Sequence, residues 1–135
     1  MIEEEGKRRA LAVVKDTPYL KLLGIELVEI SREKAVLKLP MREKLRQPHG
    51  ILHGGTTASL IDTATAFAVA AQWAEGEKAS TVDLTVHFLR PVIDETIVCT
   101  AKVLRAGRRL LTVSADVVND EGKLIATALS TYTKV

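Results

Sequence analysis

Only one cysteine, Cys99, occurs among the 135 residues. A single thiol can form no intrachain disulfide and supplies no paired-cysteine metal cluster, which excludes a stapled secreted scaffold and predicts a cytoplasmic location. Charge of one sign is also missing: 19 Lys and Arg against 17 Asp and Glu leave a formal net charge of +2. That balance argues against a nucleic-acid protein, and because the basic residues cluster only locally, any polyanion bound is expected to be small. No apolar run is long enough to cross a bilayer, and the one from Ala58 to Ala71 is interrupted by Asp62. The N-terminus, MIEEEGKRRALAVV, opens acidic and lacks the basic, apolar, small-residue order of a signal peptide. Repeats, linkers and low-complexity tracts are absent. With 47% apolar and 27% charged residues, the composition predicts one globular domain over 1–135.

What is present reads as a short helix, two strands, a long helix and four strands. Leu11, Val14, Leu20 and Leu23 give a loosely helical pattern, predicting an N-terminal helix over about 3–22 that is interrupted at Thr17-Pro18, since proline disfavours the α conformation in the preceding residue. GIELVEIS and KAVLKLP read as a hairpin, the second run setting Ala35, Leu37 and Leu39 against Lys34, Val36 and Lys38. From about His53 to Glu75 the chain is proline-free and alanine-rich, which predicts the one long helix. STVDLTVHFLRP, ETIVCTAKVLRAG, RRLLTVSADVVNDEG and KLIATALSTYTKV are predicted to form an antiparallel meander. A helix that is apolar on every side must be covered on every side. The fold class expected is therefore α+β, a curved antiparallel sheet wrapped around a long central helix.

His53-Gly54-Gly55 lies where a polar loop becomes that helix. The first amides of a helix have no intrahelical partner, and two glycines allow close approach, so the segment can polarise a carbonyl; a tight turn explains the same residues. Asp62 then falls two turns into the helix, flanked by Leu60, Ile61, Ala64 and Phe67, where an unpaired carboxylate is costly. It must be paired with Thr63, Thr65 or a neighbouring strand, face a cavity, or face another subunit. His49 and His53 stand four apart, but Pro48 and Gly50 oppose a helix there and no third ligand is evident, so no metal is expected. Cys99 in its apolar strand reads as core rather than nucleophile.

Gln47, the run GILHGG, Asp62 nine residues after His53, STVDLTVHFLRP and GRRL together resemble the hotdog-fold acyl-CoA thioesterases of the phenylacetic-acid-degradation (PaaI-like) group, over roughly Leu20 to Tyr132. The resemblance implies that two subunits pair into one continuous sheet, that dimers often stack into homotetramers, and that each active site lies between subunits. It implies catalytic roles for Gly54, whose backbone N–H would polarise the thioester carbonyl, and for Asp62, as nucleophile or as general base. Thr81 would orient the carboxylate or the water, Gln47 would donate to the thioester or the attacking water, and His53 would hold the loop. Gly55 would admit the substrate closely and Phe88 would flank the pantetheine arm. Arg90, Lys102 and Arg105, with the Gly107 turn bearing Arg108 and Arg109, would grip the phosphates of coenzyme A.

The activity implied is hydrolysis of an aryl or medium-chain acyl-CoA to free acid and CoA, with no cofactor beyond the substrate and no nucleic-acid or membrane partner. The alternative is a non-catalytic acyl-CoA-binding or sensing protein on the same fold. A hotdog hydratase would place a histidine close behind the aspartate, whereas none follows Asp62 before His87. An α/β-hydrolase would need GxSxG, which is missing.

Overall fold

The alternating residues of the β runs sort onto two faces of one antiparallel sheet in the computed structural model, which describes residues 4–73 and 76–135. In chain order the elements are α1 (Glu4–Asp16), α2 (Pro18–Leu23), β1 (Glu26–Ile30), β2 (Ala35–Leu39), a 3-10 turn (Glu43–Leu45), α3 (Gly54–Ala70), β3 (Ala79–Phe88), β4 (Ile97–Ala106), β5 (Leu110–Val118) and β6 (Leu124–Lys134). Glu3, Ala74 and Glu75, which the helices expected from sequence include, lie outside the described residues.

The N-terminal helical span is two helices rather than one. Thr17, extended before Pro18 at φ −85° and ψ 113°, closes α1 and caps α2. Gly24 ends α2 at φ 82°, its N–H directed to the carbonyls of Leu20 and Lys21. That left-handed conformation suits a residue without Cβ.

The sheet has six strands in the order β1-β2-β4-β5-β6-β3, which corrects the expected four-strand meander. β4, β5 and β6 do follow one another as neighbours, but β3 pairs with β6 at the far edge and β2 takes the place beside β4. Two connections cause this. α3 carries the chain from β2 across the concave face to the opposite edge. The segment between β3 and β4 then returns beneath the start of α3, where the Leu52 N–H donates to the Val92 carbonyl at 2.8 Å. Spacing along the chain reports that strands are close in sequence, not which of them share a ladder.

On its sheet side α3 buries Leu60, Ile61, Ala64 and Thr65 completely, in one core with Leu37 and Leu39 of β2, Cys99 of β4 and Val113 of β5. Burial of each large aliphatic side chain there contributes about 1.5–3 kcal/mol. The helix is not covered on every side, contrary to the expectation from its apolar composition. Ala58, Ser59, Asp62, Thr63 and Ala66, spaced three and four apart, are only half-buried and form an open face. A sheet that curves around one side of a helix leaves the other side only partly covered within the same chain, here by α2, whose Tyr19 hydroxyl meets Ser59 Oγ at 2.6 Å. The residues on that open face are small or polar, and Ser59 and Thr63 direct their hydroxyls to the backbone one turn back, at 2.9 and 2.7 Å.

β3 is the edge strand beside this open face, and its ten residues include no Lys, Arg or Pro, leaving Asp83 and one bulge as the features that oppose strand addition. Val82, the extra residue of a β-bulge, is 55% exposed and Phe88 is 56% exposed. An unpaired edge of this length is a template for another strand. No helix among the described residues is long and apolar enough to cross a membrane.

Candidate active site

At the start of α3, His53 is the N-cap residue and its Nδ1 accepts the Gly55 N–H at 2.8 Å. A ring nitrogen that accepts carries no proton, so the neutral imidazole presents its N–H at Nε2. A Cβ on Gly55 would lie 2.9 Å from that Nδ1, which explains glycine there without reference to a ligand. Gly54 is different. A Cβ on it would meet the Phe88 ring at an ordinary 3.5 Å, so packing does not demand glycine. Among the described residues its N–H, the first of the helix, has no acceptor.

The loop before the helix is held by a residue that sequence reading missed. Arg46 donates from Nη1 to the carbonyls of Gly50 and Ile93, at 2.7 and 2.6 Å, and pairs with Asp94 at 2.6 Å and with Glu43 at 2.9 Å. These carboxylates, Asp94 first, push the Arg46 pKa further up. The three-residue spacing of Glu43 and Arg46 was visible in the sequence; the link to Asp94 was not. Within the clamped loop, the Gln47 side-chain oxygen accepts the His49 N–H, which leaves the amide nitrogen as the end free to donate. Gln47, Gly54, Phe88 and Arg90 meet at a cavity of about 300 Å³ whose remaining wall is largely apolar, including Ile51, Val92 and Ile125. Arg90 is partly committed there, since its Nη1 donates to the Leu124 carbonyl at 2.8 Å.

A second cluster lies at the other end of β3. Thr81 donates its hydroxyl to Asp62 Oδ1 at 2.9 Å, and the Tyr132 hydroxyl lies 3.2 Å from the same oxygen. Tyr132 also approaches the Asp62 carbonyl at 2.9 Å and Thr65 Oγ1 at 2.8 Å. Sequence reading paired Asp62 with Thr81 and offered Thr63 or Thr65 as a helix partner, of which Thr65 reaches the Asp62 carbonyl rather than its carboxylate; it missed Tyr132. The only signal for Tyr132 was its parity with inward-facing Ser130 and Ala128 on β6. The turn from β4 to β5 lies at this end of the sheet, where Leu110 pairs with Thr133 and Ala79 with Lys134. Arg108 and Arg109 are exposed on it, and among the described residues their side chains make no hydrogen bond or ion pair. Gly107 has a structural cause of its own: it donates to the Leu110 carbonyl at 2.8 Å, and a Cβ would lie 2.9 Å from that oxygen. Arg105 and Lys102 are likewise exposed.

The structure therefore divides the candidate residues. Gln47, His53, Gly54, Gly55, Phe88 and Arg90 lie at one end of β3, by the start of α3, while Asp62, at the middle of α3, lies with Thr81, Gly107, Arg108 and Arg109 toward the other end of β3. Gly54 and Asp62 are eight residues apart on one helix, about 12 Å along its axis.

Among the described residues no group of three or more His, Cys, Asp or Glu is placed to hold a metal ion. Cys99 is fully buried, and burial, reinforced by the charge of Asp116, pushes its thiol up to about 12. At neutral pH the thiol is protonated and inaccessible. The folded protein is accordingly expected to release no chromophore from 5,5′-dithiobis(2-nitrobenzoate) near pH 8, and its single cysteine to react fully after denaturation. Rapid reaction of the folded chain would contradict this burial.

Comparison with known proteins places this fold in a class. The family model of the thioesterase superfamily matches residues 49–126, and the chain belongs to that superfamily as a hotdog-fold thioester hydrolase. Among its relatives, acyl-coenzyme A thioesterase 13 of Homo sapiens is 34% identical over 118 residues, covering 85% of this chain and 84% of that protein. Acyl-coenzyme A thioesterase PaaI of Escherichia coli (strain K12) is 30% identical over 120 residues, covering 88% and 84%. The solved structure of the E. coli PaaI protein, from the phenylacetic acid degradation operon, superposes with a TM-score of 0.91 at 26% identity, over 100% of this chain and 96% of that one.

Proposed function

We propose that this protein hydrolyses acyl-CoA thioesters at a site that two copies of the chain build together. One observation carries the reading: the Gly54 amide, without an acceptor among the described residues, and the carboxylate of Asp62 sit beside opposite ends of the same edge strand. A thioester carbonyl polarised by a donor at about 3 Å cannot also meet an attacking group about 12 Å away. Antiparallel pairing of β3 with the β3 of a second copy resolves the mismatch. With the two-fold axis near Leu84 and Thr85, Thr81 of one copy lies opposite Phe88 of the other. Asp62, bonded to Thr81, then faces the second copy's Gly54, which packs beside Phe88. The same pairing fills the open edge and covers what Tyr19 leaves open of that face of α3.

In the shared site the thioester carbonyl oxygen accepts the Gly54 N–H at the helix N-terminus, where the aligned peptide dipoles favour developing negative charge. Gln47 adds a second donor from the clamped loop. Asp62 of the other copy either takes a proton from the attacking water and passes it to the departing CoA thiolate, or attacks the carbonyl carbon itself and expels CoA thiolate. In the second case water hydrolyses the resulting mixed anhydride to the free acid, and the thiolate takes up the proton released. Arg108 and Arg109, whose side chains make no hydrogen bond or ion pair among the described residues, meet the phosphates of CoA, while the apolar cavity beside Phe88 takes an uncharged part of the substrate, an aryl or medium-chain acyl group or the pantetheine arm. No metal or redox group enters this chemistry.

The test is release of free thiol from a panel of aryl and straight-chain acyl-CoAs, with sedimentation run in parallel. Turnover on at least one member by a species no smaller than a dimer is expected. Binding of acyl-CoA without thiol release would replace this reading with that of a sensor, and a fully active monomer would overturn the shared site.

A further inference from the structure

The residue that supports Asp62 from the sheet side lies outside the motif. Tyr132 is 2% exposed, and its ring fills the core between β6 and α3 while its hydroxyl reaches the carboxylate. Three hydroxyls surround Asp62, and each carries one proton. Thr81 commits its proton to Oδ1. Tyr132 and Thr65 share the remaining two among Oδ1, the Asp62 carbonyl and each other. The Tyr132 hydroxyl lies 2.9 Å from the Asp62 carbonyl and 3.2 Å from Oδ1, and the charge of an ionised carboxylate draws its proton toward Oδ1 despite the longer distance, with the Thr65 proton directed to the Tyr132 oxygen or the Asp62 carbonyl. Oδ2 has no partner among the described residues.

We infer that Tyr132 is a positioning residue for Asp62: with Thr81 it saturates Oδ1, locks the carboxylate in one rotamer and leaves Oδ2 as the oxygen presented to the substrate or water. The inference rests on the proposed role of Asp62. Several surroundings keep the phenol a donor. Burial, the largest cause, together with the nearby Asp62 charge pushes its pKa up to about 12, against the opposing pull of the Thr65 and Thr81 hydroxyls. Across the working pH range Tyr132 therefore holds its proton and donates it. The arrangement puts a neutral donor below the carboxylate without adding a second charge to a partly desolvated site.

Tyr132→Phe keeps the ring and removes only the donor. Its kcat is expected to fall about tenfold with KM nearly unchanged, and the acid limb of its kcat–pH profile to move to higher pH, because a carboxylate that loses a donor is protonated more readily. Thr65→Val, which leaves the Tyr132-to-Oδ1 bond in place, should keep the acid limb where it is in the parent. Replacing both tyrosines with 3-fluorotyrosine, a stronger donor of nearly the same size, should move the limb to lower pH and serves if the Phe variant does not fold. A crystal structure of Tyr132→Phe gives a readout independent of turnover: the Asp62 carboxylate should leave the rotamer it occupies in the parent. An unmoved acid limb together with an unmoved carboxylate would overturn the inference, whatever happens to the melting temperature. A parent that releases no thiol from any acyl-CoA would instead sink the hydrolase reading, and the crystallographic comparison would still decide the role of Tyr132.

Discussion

Asp62→Asn is expected to lower kcat for acyl-CoA hydrolysis by roughly a thousandfold or more, whether the carboxylate attacks the thioester or activates water. The substitution isolates chemistry from structure. Asparagine has nearly the same volume, and its carbonyl oxygen can still accept from Thr81 and Tyr132, so folding and assembly should persist. The charge and basicity are lost, and neither route to thioester cleavage works without them. KM should change little, because the carboxylate is proposed to act in the transition state rather than to hold the substrate. Single-turnover thiol release measured beside the melting temperature separates the two effects. An Asn variant that turns over at the parental rate would remove Asp62 from the mechanism, and with it the reason for the Thr81 and Tyr132 contacts.

Gly54→Pro should have the second largest effect, a fall in kcat of about 10²–10³. Proline at the first position of a helix is well tolerated, since the N–H it lacks has no intrahelical acceptor, and its φ is already helical. The residue before it, His53, is extended at φ −63° and ψ 129°, as a residue preceding proline must be. Space permits the ring's Cβ beside Phe88. The substitution thus removes the proposed oxyanion donor and little else, and Gly54→Ala, which keeps the N–H, serves as the control with near-parental kcat. The two inactive variants can then be mixed. If sites are shared, each heterodimer of the Asp62 and Gly54 variants has one site carrying both defects and one carrying neither. Random exchange at equal amounts returns about a quarter of parental activity. If each chain held its own complete site, mixing two dead variants would restore nothing.

Much of the fold and of the site is legible in the amino-acid sequence. The proline-free alanine-rich segment runs as a helix from the glycine pair onward, because helix propensity and N-terminal capping are local properties of a few neighbouring residues. The alternation in KAVLKLP survives as inward Ala35, Leu37 and Leu39 for the same reason. The spacing from His53 to Asp62 and the position of Thr81 mark the two ends of the proposed site, since a helix converts residue number directly into distance. Tertiary structure decides what local rules cannot encode. β3 joins β6 rather than β4 because a ladder is chosen by the path of α3 and by the return loop that Arg46 pins through Asp94. Gly107 proves to close a turn. Tyr132, seventy residues from Asp62, meets it because the registers Thr81 with Tyr132 and Leu111 with Tyr132 set that side chain beneath the helix. The lone carboxylate in an apolar helix is thus a property of the sequence. Its place at a partly uncovered face, about 12 Å from the amide it is proposed to work with, follows only from the way one sheet curves around one side of that helix.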